Sequence, residues 1–103
     1  MPLTLGFLDR ASLADHHKSH RGEFGWISEE KYAAQADMFL GQPLNPVTQK
    51  EGTRKNGDTV RLDMATGEFG VLLKSGYIKT YFRADPRIHR KATNLEYFLE
   101  CLK

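Results

Sequence analysis

Three of the four histidines of this chain fall within five residues, in the segment His16-His17-Lys18-Ser19-His20-Arg21-Gly22-Glu23-Phe24-Gly25. An unperturbed imidazole titrates near neutral pH, so it both takes and gives a proton there. Histidines flanked by Lys18 and Arg21 therefore suit proton transfer at a phosphodiester. The same residues allow two other readings. His16 and His20 are spaced i,i+4, share a helix face and could hold a metal ion with Asp15 or Glu23 nearby. Alternatively, the cluster is an exposed polar surface with no chemistry. The metal reading needs a third or fourth ligand. The sequence offers no cysteine pair and no His-Glu-x-x-His, and His89 sits in a basic segment that repels a cation.

Other chemistries have weaker support. Ser19 and Ser75 lie in no Gly-x-Ser-x-Gly elbow, and no glycine-rich phosphate loop is present. Thr80 reads as a strand residue and Phe82 as a core aromatic on the same strand face as Ile78. Trp26, Tyr32, Tyr97 and Phe98 read as core rather than as base-stacking residues.

The elements that must position these groups fit one domain, residues 1–103. Hydrophobic content of 40% and charged content of 27% suit a globular chain rather than a disordered one. Cys101 is the sole cysteine, so folding needs no intrachain disulfide. No apolar run approaches the ~20 residues of a membrane helix. Residues 1–10 lack the pattern of a secretion leader, so any export is expected to depend on another segment.

The net charge of +2 is unevenly spread. Lys74, Lys79, Arg83, Arg87, Arg90 and Lys91 face Asp85 alone in the stretch from Lys74 to Ala92. Such a stripe is an electrostatic footprint for a polyanion, or a solvated basic surface.

Helical spacing predicts one helix over Ala11 to about Arg21, broken by Gly22 and Gly25. A second begins after Ser28 as N-cap, carries the stripe Tyr32, Ala36, Phe39 and Leu40, and ends at Gly41. From Thr48 the period becomes two. A short edge strand, Thr48 to Arg54, leads into an Asn56-Gly57 hairpin. Val60, Leu62 and Met64 point inward in the next strand, as do Phe69, Val71 and Leu73 in the third. Ile78, Thr80 and Phe82 alternate with Lys79, Tyr81 and Arg83 in the last, which Asp85-Pro86 stops. Asn94 is the expected cap of a final helix, Leu95 to Leu102. The expected class is α+β, with N-terminal helices on a roughly four-stranded antiparallel meander and a short C-terminal helix.

The segment Lys18 to Gly25 resembles the catalytic segment of the colicin D nuclease domain, which has a histidine and then a glycine, an acidic residue, phenylalanine and glycine. Gly67 to Phe82 is similar to the final hairpin of that family. The stretch with Asp85-Pro86-Arg87-Ile88-His89 and Asn94 to Phe98 resembles C-terminal toxin modules of contact-dependent growth-inhibition proteins. These belong to the broad barnase, EndoU, colicin and RelE-like group of ribonucleases.

The resemblance implies that fold and a metal-independent ribonuclease that cuts tRNA without a cofactor. It also implies delivery as the last module of a larger secreted toxin, action in the target-cell cytoplasm, and a cognate immunity protein masking the site. A host translation factor such as elongation factor Tu is a further partner it allows. The family's catalytic hydroxyl and aromatic fall at Thr80 and Phe82. Colicin D carries lysines where this chain has His17 and Ser19, so the charge at the phosphate falls to Lys18, His17, Arg83 or Arg61.

Metal-free RNA cleavage uses the 2′-OH as nucleophile. His20 is the expected general base, alone or in an acid/base pair with His17. Lys18 and the Thr80 hydroxyl would stabilise phosphoryl charge, and Phe82 would stack on a splayed base. Lys79, Arg83, Arg61 and Arg87 would hold the RNA backbone. The competing classes are a metal-dependent nuclease using His16 and His20, and a non-catalytic RNA- or protein-binding module.

Overall fold

The computed structural model describes residues 3–103. Asp9 opens α1 (Arg10–His20), its side chain accepting from the Ser12 N–H. A 3₁₀ turn over Arg21–Phe24 follows directly and ends at Gly25 in the left-handed region (φ 79°). Ser28 caps α2 (Glu29–Gly41) by accepting from the Lys31 N–H, and Glu29 and Glu30 occupy the first turn, where acids favour the helix dipole. Four strands follow: β1 (Gln49–Thr53), β2 (Thr59–Asp63), β3 (Glu68–Leu72) and β4 (Ile78–Arg83). They form an antiparallel meander in sequence order. Two short helices, α3 (Pro86–His89) and α4 (Asn94–Cys101), close the chain. This is the expected α+β architecture. No helix among the described residues is long and apolar enough to cross a membrane.

Helices cover both faces of the sheet. Tyr32, Ala36, Phe39 and Leu40 of α2 pack with Ile78 and Tyr81 on one face. Val60, Leu62, Phe69 and Val71 pack with Phe98 and Leu95 of α4 on the other. The close fit is visible at Gly70, where an added Cβ would stand 3.0 Å from Leu40.

This double cover corrects the expectation of a half-solvated β2. Arg61 is only 5% exposed and is buried with Asp58 and Asp63. Its Nη1 donates to the Phe39 and Gln42 carbonyls at the end of α2, and its Nε to Glu51. A guanidinium there satisfies helix-terminal carbonyls and complements the negative end of the dipole. Arg61 is therefore spent inside the protein and cannot hold an RNA backbone. Met64 lies beyond the strand and is exposed.

A second correction concerns β4. Val71 pairs with Thr80 but Leu72 pairs with Ile78, so Lys79 opposes no residue. This bulge turns Ile78 onto the Tyr81 face, whereas Phe82 stays on the α4 face with Phe69. Ile78 thus does not share a face with Thr80 and Phe82. At the C-terminal end, Asp85-Pro86 stops β4 and also starts α3, with Asp85 accepting from the Arg87 N–H. Thr93, not Asn94, caps α4. Asn94 instead donates to the Ala84 carbonyl, tying the last helix to the end of β4.

Candidate active site

The 3₁₀ turn after α1 folds Glu23 back onto His20. Nδ1 of His20 lies 2.8 Å from Glu23 Oε2. The second carboxylate oxygen, Oε1, accepts from the Arg83 backbone N–H at 2.8 Å. Glu23 therefore bridges the end of α1 to the end of β4. With Nδ1 donating to the carboxylate, Nε2 of His20 holds the lone pair needed by a base. The Arg83 guanidinium donates to the Thr66 carbonyl through Nε (2.9 Å) and Nη2 (2.8 Å), and to the Glu23 carbonyl through Nη1 (3.3 Å).

Phe82 supports the imidazole from the sheet. Its ring stacks on His20 with centroids 5.3 Å apart at 23°, and packs on Phe69 at 5.0 Å. Beyond it, Tyr97 stacks on His89 at 4.4 Å and 11°. Together with Ile88, Glu23 and Arg83, these rings line a cavity of about 390 Å³ opening beside His20. That volume is within the usual range of small-ligand sites.

The three clustered histidines diverge. His17 donates from Nε2 to the Ile27 carbonyl (2.7 Å) and sets its ring edge-on to Tyr32. It braces the loop that leads into α2 and does not pair with His20. His16 donates from Nδ1 to the Ser12 carbonyl (2.8 Å) and packs on Phe7. Its ring centroid is 6.3 Å from that of His20. Among the described residues, no three His, Cys, Asp or Glu side chains come together as a ligand set.

The other expected residues spread out. Lys18 and Lys79 are exposed and do not line the cavity. Thr80 shares the sheet face of Phe82 but stands about 6–7 Å further along the strand, outside the cavity lining. Arg87 is exposed and paired with Asp85 at 2.9 Å. Its hydrogen bonds hold the Asp85 carboxyl below the usual range.

Two residues join the site unforeseen in these roles. Glu23 stood in the sequence as a possible metal neighbour of His20. The three-residue spacing was visible, but the 3₁₀ turn that points its carboxylate at Nδ1 was not. His89 enters from the far end of the chain. Its Nδ1 accepts from the Lys91 N–H (3.0 Å), so its Nε2 carries the proton and donates to Asn94 Oδ1 (2.9 Å). With both nitrogens engaged, His89 offers the cavity a flat ring and no free base. Burial, reinforced by the Cys101 thiol, pushes the Tyr97 hydroxyl up to about 12, so it stays protonated at neutral pH.

Trp26 corrects another expectation. Tyr32 and Phe98 are buried as core residues, but Trp26 is 73% exposed. It follows Gly25 in the left-handed region, at φ 63°. For a bulky residue this conformation costs on the order of 1–3 kcal/mol. Two bonds hold it: the N–H groups of Gly25 and Trp26 both donate to the Arg21 carbonyl. The indole lies 5.3 Å from the Arg21 guanidinium.

No protein-family model matches this chain, and no curated protein matches it.

Proposed function

We propose that this protein is a metal-independent endoribonuclease that cuts tRNA through attack of a 2′-OH on the adjacent phosphodiester. One observation carries the reading. A histidine anchored through Nδ1 by a carboxylate stands at the mouth of an aromatic-walled cavity beside an arginine. His20 Nε2 takes the proton of the 2′-OH, and O2′ attacks phosphorus. The P–O5′ bond breaks, leaving a 2′,3′-cyclic phosphate and a 5′-OH. Glu23 holds the imidazole in its productive tautomer and stabilises the imidazolium as it forms. Since His17 is tied to Ile27, water at the cavity mouth protonates O5′.

Arg83 is favoured as the source of phosphoryl charge stabilisation, because it alone of the four candidate cations lines the cavity with His20. A preorganised donor of this kind contributes on the order of 3 kcal/mol to the transition state. Phe82, Tyr97 and the His89 ring give the cavity an aromatic wall against which an unstacked base would pack, which suits RNA loops rather than duplexes.

The resemblance to colicin D-type domains supports tRNA as the substrate and delivery within a larger toxin. It also supports an immunity protein with acidic groups that cover His20 and Arg83, whose association would be salt-sensitive. The test is cleavage of unfractionated tRNA by the purified chain in excess EDTA. Undiminished cutting is expected. Loss of cutting on chelation, restored by a divalent metal, would favour a metal-dependent nuclease. Absence of cutting under all conditions would favour a binding module.

A further inference from the structure

We infer that Trp26 and Arg21 form a stacking platform for a second base of the RNA, outside the cavity. The inference rests on the ribonuclease reading above. Its starting point is the backbone. The left-handed conformation at Trp26 is unfavourable for a large side chain, yet here it exposes the indole instead of burying it. The arrangement is preorganised. Gly25 and Trp26 both donate to the Arg21 carbonyl, and the indole lies along Gly22, where an added Cβ would stand in ordinary contact with the ring at 3.4 Å. Arg21 adds a guanidinium 5.3 Å from the ring centroid.

A rigid exposed indole next to a guanidinium matches a nucleobase and its phosphate. The ring supplies a sequence-tolerant stacking face, and the fork supplies bidentate donors to phosphate oxygens. The local charge favours a polyanion over a protein partner. Lys18 and Arg21 are exposed, and the only acid between His16 and Trp26 is Glu23, which is already engaged by His20 and the Arg83 N–H. Arg21 follows His20 directly and opens the same 3₁₀ turn that carries Glu23, so the platform is built on the segment that bears the proposed base.

Trp26 is the sole tryptophan, which makes its emission a direct probe. The His20→Ala protein would be titrated with unfractionated tRNA and binding measured in parallel by filter retention. A saturable change in emission with the same midpoint is expected. In that background Trp26→Leu should weaken tRNA binding roughly 5- to 150-fold, and Trp26→Tyr should retain most of it. Saturable retention with unchanged emission would overturn the platform and leave the ribonuclease reading standing. So would parental binding by Trp26→Leu. No retention of tRNA by any variant would overturn both. Should Trp26→Leu fail to fold, the emission titration of the parent decides alone.

Discussion

Replacing His20 with alanine is expected to lower tRNA cleavage roughly 10²–10⁴-fold, the range for loss of one acid/base group. The fold should survive. His20 sits at the end of α1, partly buried, and its main packing partner is the Phe82 ring. Loss of one such stacked contact costs about 0.5–1.5 kcal/mol, a few degrees in melting temperature for a chain of this size. Phe82 keeps its contacts with Phe69 and Tyr97, so the sheet face does not collapse. Cleavage and thermal melting on the same preparation check this. Wild-type cleavage by a folded His20→Ala protein would remove His20 from the chemistry.

Glu23→Gln is expected to lower kcat roughly 100-fold with KM changed less than about threefold, by analogy with other residues that orient a catalytic histidine. The carboxylate accepts from two donors, His20 Nδ1 through one oxygen and the Arg83 N–H through the other. Glutamine has one acceptor oxygen. Whichever donor it serves, the other meets an NH₂ group. The negative charge that stabilises an imidazolium is lost in either case. Because both carboxylate oxygens of Glu23 are engaged, by His20 Nδ1 and by the Arg83 N–H, RNA binding should change little. Equal losses in kcat and in tRNA affinity would instead make Glu23 part of the binding surface. Steady-state kinetics over a range of tRNA concentrations separates the two.

The features legible in the sequence are those fixed by near neighbours. Ser28 caps α2 because its hydroxyl reaches the Lys31 N–H three residues on, and the stripe Tyr32, Ala36, Phe39, Leu40 follows from helical spacing. The Asn56-Gly57 turn and the alternation of Val60 with Leu62 and Phe69 with Val71 are local in the same sense. What was hidden depends on distant groups. The burial of Arg61 requires that the end of α2 land on its face of the sheet, with Phe39 and Gln42 standing 22 and 19 residues away in sequence. The bulge at Lys79 comes from pairing with β3 and reverses the face of Ile78.

The site divides along the same line. His20 stands out by residue type, whereas Phe82 reads as a core aromatic and enters the site only through the resemblance; the structure stacks the two together. His17 as acid/base partner and Lys18 as charge stabiliser are expected beside His20 because sequence proximity carries no direction, yet the helix sends them elsewhere. The bond from Arg83 to Glu23 spans sixty residues, and His89 comes to the cavity only because Asp85-Pro86 starts a helical turn that returns its ring to Tyr97. Trp26 was misplaced because a tryptophan in the left-handed region is rare, and spacing alone puts a large aromatic inside.

The most direct test of the account is the chemistry of the ends it leaves. Purified protein would be incubated with tRNA in excess EDTA and the new termini identified. Attack by the 2′-OH with His20 as base predicts a 2′,3′-cyclic phosphate on one fragment and a 5′-OH on the other, and no cut where the 2′-OH at the target bond is replaced by hydrogen. Fragments bearing 5′-phosphate, or cleavage of the 2′-deoxy substrate, would contradict it.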